Sequence, residues 1–198
     1  MIDEKEASLI AERIAPIFEK VSKQYDFTKY PAQLYEESRS LFETLGAEDT
    51  HIENAMIWKW GHGKKDNFPQ RHKALITEIQ KNWKAFCEST SPKSPEDTFN
   101  WWKKRLDRNT TYITVAFITH LVHYQAPLPI IDQHNFRGMN HLIQCVRPGF
   151  HIKKKPSNWR DIQDLKSFML SLCTAIEGLE FSRLDRFLMM YGRNVAPR

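Results

Sequence analysis

Asp132 is the residue whose setting most invites chemistry. It follows the run Pro127-Leu-Pro-Ile-Ile and opens a stretch with helical apolar spacing, with His134, Phe136 and Arg137 close behind it. An aspartate at a helix start accepts hydrogen bonds from the first free backbone N–H groups, so capping alone would select it. A carboxylate shielded from water can also stabilise developing positive charge or deprotonate a water molecule. The two roles can coexist. His134 either orients the aspartate or packs, and Arg137 reads as a structural partner for a carboxylate. His120 and His123 lie on adjacent turns of the preceding helix, and with His134, His141 and Asp132 they raise a metal reading. No H-E-x-x-H spacing supports it and the helix is very apolar, so satisfied core histidines and no metal are expected. Gly-rich phosphate loops and the G-x-S-x-G elbow are absent from the sequence.

A second chemical feature is the segment 58–69, WKWGHGKKDNFP, which mixes aromatics, glycines and cations in what reads as an exposed loop. Trp58, Trp60 and His62 are candidate ligand contacts there, or core aromatics bounding the loop. Two cationic clusters, Lys103-Lys104-Arg105 and Lys153-Lys154-Lys155, can neutralise phosphates or form solvated faces.

The elements that must hold these groups read as helices throughout. There are only seven glycines, apolar residues recur at spacings of three and four, and alternating β-branched runs are nearly absent. The fold class is therefore all-α. Residues 4–24 set Ile10, Ile14, Ile17, Phe18 and Val21 along one stripe, and Pro31 opens a second helix that closes before Gly46. A short helix from Asp49 reaches Trp58, and helical spacing resumes over 70–88. The run STSPKSP at 89–95 is the best lobe boundary in the sequence. A helix from about Pro95 ends in Lys103-Lys104-Arg105. The turn 107–111 then caps a helix, 112 to about 124, that is apolar nearly all round and so central. Further helices are predicted over 132–146, 158–177 and 180–191. Residues 1–60 and 156–198 are expected to share one lobe, and 95–150 to carry the aspartate.

With 198 residues, 41% hydrophobic and 27% charged, the chain is long enough for one core or two joined lobes, and disorder is not expected. No run approaches the roughly 18 apolar residues of a membrane span, and the first residues alternate charged and apolar where a secretion signal has a continuous apolar run. A cytoplasmic monomer is expected. Cys87, Cys145 and Cys173 are too few and scattered for a disulfide framework or a four-thiolate cluster, and are expected to be reduced and mostly buried. Residues 1–50 carry 6 Lys/Arg and 11 Asp/Glu, whereas the remainder carries 23 and 13. That excess of cations fits a polyanion partner such as nucleic acid.

Across roughly residues 105–145, the order of a buried helix, a proline-bearing connection, an apolar pair and an aspartate resembles the helix-hairpin-helix DNA glycosylase superfamily. Tyr124, Pro127, Ile130, Ile131, Asp132, His134, Phe136 and Arg137 match its pattern, in which the helix after the proline-bearing loop begins in a V-D-x-H-V-x-R-like way. The resemblance implies a two-lobed helical bundle with a cleft for a base flipped out of double-stranded DNA. It makes Asp132 the catalyst and His134 its companion, with Trp58, Trp60, His62, Tyr112 and Phe136 as base or gap contacts. DNA contacts are implied for Arg108, Asn109, Thr110 and Thr111, alongside the two cationic clusters. In place of the family's L-P-G-x-G hairpin stands Arg108-Asn-Thr-Thr-Tyr112. Amides and hydroxyls at that helix start can still hold a phosphate. Thr114 occupies the position of the Schiff-base lysine of bifunctional members, and the cysteine-bounded iron–sulfur loop is missing, which implies a monofunctional hydrolase without cofactor. Repair and defence against modified viral DNA both stay open, as does a non-enzymatic nucleic-acid-binding module.

Overall fold

Side-chain caps at Asp3, Ser94, Asp132 and Asn158 and prolines at positions 31, 69 and 95 mark where helices begin or are about to begin. The structure, a computed structural model, describes residues 2–61, 69–89, 94–106 and 111–197. Within these residues every regular element is a helix, so the all-α expectation holds. Ten helices are present among the described residues: α1 Glu4–Ile14, α2 Phe18–Ser22, α3 Ala32–Glu43, α4 Asp49–Trp60, α5 Gln70–Glu88, α6 Pro95–Arg105, α7 Tyr112–Val122, α8 Gln133–Val146, α9 Trp159–Ala175 and α10 Phe181–Asn194. The continuous stripe expected over 4–24 is broken between α1 and α2. Pro16 sits in the break, where its ring and missing N–H oppose a continuing helix.

The helices fall into two compact units, Met1–Tyr25 with Pro127–Arg198, and Asp26–Ala126. Residues 26–60 therefore belong with the central helices rather than the C-terminal ones, and both ends of the 89–95 run lie inside the second unit. Serine and proline mark a helix-to-helix connection whether or not a unit ends there, and residues 90–93 lie outside the described residues.

In the first unit, Asp3 and Glu6 form a reciprocal cap at the start of α1, and Glu6 also receives a forked pair of hydrogen bonds from Arg147, at 2.7 Å from Nε and 2.5 Å from Nη2. Ala7, Ile10 and Ile14 give α1 its buried stripe. Helix α9 is capped by Asn158 and buries Ile162, Leu165, Phe168, Met169 and Leu172. Helix α2 packs on α10 through stacked Phe18 and Phe187, 4.6 Å apart, and Glu19 pairs with Arg183. Helices α8 and α10 cross closely because Gly138 faces Leu188 and Gly192 faces the backbone of His134.

The second unit is built around aromatic rings. Trp83 touches Phe42, Phe86 and Trp102, and all four are at most 6% exposed. Helix α7 is buried continuously from Thr114 to Leu121, which bears out its expected central place, and it packs against α3 and α6. The cysteines are free thiols, but each is half-buried rather than buried. No helix among the described residues is long and apolar enough to cross a membrane.

Candidate functional site

Asp132 is the N-cap of α8, extended at φ −143° and ψ −178°. Buried Leu128 and Ile131 anchor the proline-bearing segment before it. Asp132 Oδ1 accepts the backbone N–H groups of His134 at 2.6 Å and Asn135 at 3.0 Å, while Asn135 Oδ1 accepts the Asp132 N–H at 2.8 Å. Oδ2 has no hydrogen-bond partner among the described residues, and the side chain is half-buried. One oxygen is thus locked by two amides at the positive end of a helix, and the other is available to a ligand or water.

His134 contributes to this geometry through its backbone N–H; its ring makes no hydrogen bond to Asp132. The orienting role expected of its imidazole is therefore filled by the main chain. Arg137 donates from Nη1 to the Gly192 carbonyl at 3.1 Å, so its partner is a backbone oxygen rather than a carboxylate. Phe136 is 3% exposed and packs in the core. It offers no face to a base.

Two residues that the sequence reading passed over complete this corner. Asn135 is 1% exposed, and its Nδ2 donates both to the Ile130 carbonyl at 2.9 Å and to Asp185 Oδ1 at 3.0 Å. An Asn three positions after an Asp is a capping signal that was available locally. Asp185, fifty residues further on, carries no local signal at all.

The predicted aromatic contacts separate. Trp58 is 7% exposed, stacked by Tyr35 at 4.8 Å and by Phe117 at 5.6 Å, with its indole N–H on the Pro31 carbonyl. It is a core residue. Trp60 is half-buried and stacks on His72 at 4.0 Å, and Tyr112 is half-buried with its ring edge-on to Phe99. Thr111 is buried and gives its hydroxyl to the Leu106 carbonyl at 2.8 Å, which occupies it as a phosphate donor. His62, Arg108, Asn109 and Thr110 lie outside the described residues.

Of the cations, Lys103, Lys104 and Arg105 are exposed at the end of α6, with the Arg105 guanidinium 3.4 Å over the ring of Trp101. Lys154 and Lys155 are exposed, but Lys153 is tied to Asp161 by contacts of 2.8 and 2.6 Å. Asp161 is only 5% exposed and also accepts the N–H groups of Ser157 and Asn158, so Lys153 neutralises a buried carboxylate.

The histidines of the metal reading find other partners. His120 meets Tyr35 Oη at 2.7 Å, His123 meets Thr98 Oγ1 at 2.6 Å, and His141 meets Tyr191 Oη at 2.9 Å. Burial pulls His123 below the ordinary imidazole value, and burial with the nearby Arg13 charge does the same for His141. No group of three or more His, Cys, Asp or Glu side chains gathers among the described residues. No family model, curated protein or solved structure matches the chain.

Proposed function

We propose that this protein is a monofunctional DNA glycosylase, in which Asp132 promotes hydrolysis of the N-glycosidic bond of a damaged or modified base and leaves an abasic site. The observation that carries the proposal is the half-buried Asp132 carboxylate, fixed through Oδ1 and without a partner at Oδ2 among the described residues. Breaking an N-glycosidic bond puts positive charge on the deoxyribose. A preoriented carboxylate stabilises that charge, and its unoccupied oxygen can align or deprotonate the attacking water.

The absence of a lysine nucleophile is part of the reading. Thr114 stands where the resembled enzymes that cut the strand carry their Schiff-base lysine, and it is 3% exposed. Its hydroxyl cannot form an imine, so water is the nucleophile. Exposed Lys103, Lys104, Arg105, Lys154 and Lys155 are the cations that would meet DNA phosphates. Trp60 and Tyr112 keep part of their surface exposed for stacking, whereas Trp58 and Phe136 do not.

The test is incubation with duplexes carrying an alkylated purine, an oxidised base or a bulkier modified base, followed by hot alkali. Cleavage that needs alkali supports the proposal. Strand scission without alkali contradicts the hydrolytic assignment. A second reading, a non-enzymatic nucleic-acid-binding module, is favoured by the completeness of the cap at Asp132, which an inactive helix start would form equally well. Asp132→Asn separates the two: base release disappears and DNA affinity stays in the enzyme, and nothing measurable changes in the module.

A further inference from the structure

The proposed catalytic carboxylate is held by a polar knot that has no need to extend beyond its own helix start, yet it does. Asn135 grips the chain that leads into Asp132 at two points, receiving the Asp132 N–H on Oδ1 and donating to the Ile130 carbonyl. Its second Nδ2 proton goes to Asp185 Oδ1 on α10. Both amide protons of a side chain that is 1% exposed are thereby committed, one to the connecting segment that enters the site and one to a charged acceptor on another helix. A hydrogen bond to a carboxylate is the stronger kind, and it leaves the Asn135 amide a single orientation. The α8–α10 crossing that brings Asp185 within reach is set by Gly138 and Gly192, each lying against backbone of the opposite helix.

We infer that Asp185 is a positioning residue for the reaction proposed above: by fixing the Asn135 amide it fixes the backbone that enters Asp132 against the helix start that follows it, and with it the direction in which the Asp132 carboxylate faces. The inference rests on the glycosylase reading. A cap serving stability alone is complete with Asp132 and Asn135. The additional bond from α10 narrows the freedom of the helix start itself, and a misplacement of about 1 Å at a reacting group can cost on the order of a hundredfold in rate.

The experiment uses whichever duplex of the modified-base panel the wild-type protein processes fastest, under single-turnover conditions, with duplex affinity and melting temperature measured on the same samples. Asp185→Ala is expected to slow base release by on the order of tenfold or more, with duplex affinity within about twofold of wild type. Asp185→Asn keeps an oxygen that accepts from Asn135, and is expected to recover most of the rate. Adding Asp185→Ala to Asn135→Ala is expected to cause no further loss, since both break the same chain of bonds.

The proposal is overturned by full activity in Asp185→Ala, by equal losses in Asp185→Ala and Asp185→Asn, or by losses that multiply in the double variant. If Asp185→Ala does not fold, proton exchange of the Asn135 side-chain amide in wild type and Asp185→Asn decides. Slow exchange in both supports the clamp, and fast exchange in either overturns it. A wild-type chain that releases no base from any duplex refutes the glycosylase reading itself, whereas an active wild type indifferent to Asp185→Ala refutes this proposal alone.

Discussion

Replacing Gly192 by alanine tests the crossing on which the site depends. In an open helix this change would stabilise by about 1 kcal/mol, because glycine is the poorer helix former. Here the added Cβ would collide with the His134 carbonyl oxygen, lie 2.6 Å from the His134 carbonyl carbon and sit 2.8 Å from the Gly138 nitrogen. All three are backbone atoms, so no side-chain rotation relieves the contact. Carbon atoms prefer separations of about 3.5–4.0 Å, so α8 and α10 must part locally by about 1 Å or more. Overpacking of this kind costs about 1–3 kcal/mol and occasionally more, and rigid backbone on both sides places Gly192→Ala at the upper end, about 3 kcal/mol. For a chain of this length that corresponds to a melting temperature lowered by about 6–12 °C. Circular dichroism melts and urea midpoints measure it, with Gly46→Ala as the control. There the Cβ would meet only Thr44 Oγ1 at 3.4 Å and the Leu41 carbonyl at 3.9 Å. A Gly192→Ala protein melting at or above the wild-type temperature would refute the close crossing.

Other perturbations probe separate parts of the structure. Tyr35→Phe removes the 2.7 Å bond to the buried ring of His120 and is expected to cost about 1–2 kcal/mol in urea unfolding; no loss would mean that the ring is satisfied without it. Lys153→Ala strips the cation from buried Asp161 and is expected to lower the melting temperature, whereas Lys154→Ala and Lys155→Ala leave it within about 2 °C. If these two exposed lysines meet DNA, each substitution lowers the slope of log affinity against log salt by about 1. Stability should also fall in acid. His123 and His141 are held below their ordinary value of 6.5, so the unfolded chain takes up protons first, and their contribution, intact above about that pH, is lost as the pH falls through the folded values. Glu6, lowered chiefly by its hydrogen bond from Arg147, adds a further loss below its ordinary 4.5. A urea midpoint that stays flat between about pH 7 and pH 4 would contradict this assignment.

Helix positions were legible wherever the chain carries its own punctuation. Pro95 marks a start and the apolar spacing of 70–88 marks a face, and the structure has helices at Gln70–Glu88 and Pro95–Arg105. Burial was legible only where a helix has distinct sides. Helix α4 buries Ile52 and then Ala55 through Trp58 in succession, so periodicity alone could not tell a core Trp58 from one facing a ligand. The division into units was not legible, because it follows from which helices bury faces against one another, as α3 does against α7. The same holds for Lys153: a run of three lysines has one appearance in sequence, and only the fold brings Asp161 to the first of them. Asp132 was legible as a helix start. Its tie through Asn135 to Asp185 was not, since fifty residues separate groups that the Gly138–Gly192 crossing brings together.

Whether Asp132 caps or catalyses is decided by asking what each role requires of the side chain. Capping uses one oxygen, and asparagine at an N-cap is about as good as aspartate, so Asp132→Asn should change stability by only a few tenths of a kcal/mol. The backbone bonds to His134 and Asn135 can re-form on the amide oxygen. Stabilising a cationic sugar needs the negative charge that asparagine lacks, and losing a preorganised electrostatic group costs on the order of a hundredfold to a thousandfold in rate. Replacement by serine sharpens the comparison, since serine also caps but is shorter and neutral. A series in which stability holds across aspartate, asparagine and serine while base release survives only with aspartate can arise only if the carboxylate acts on something other than its own helix. If the three proteins are equally active on the same duplex, the aspartate is a cap and the chemistry lies elsewhere.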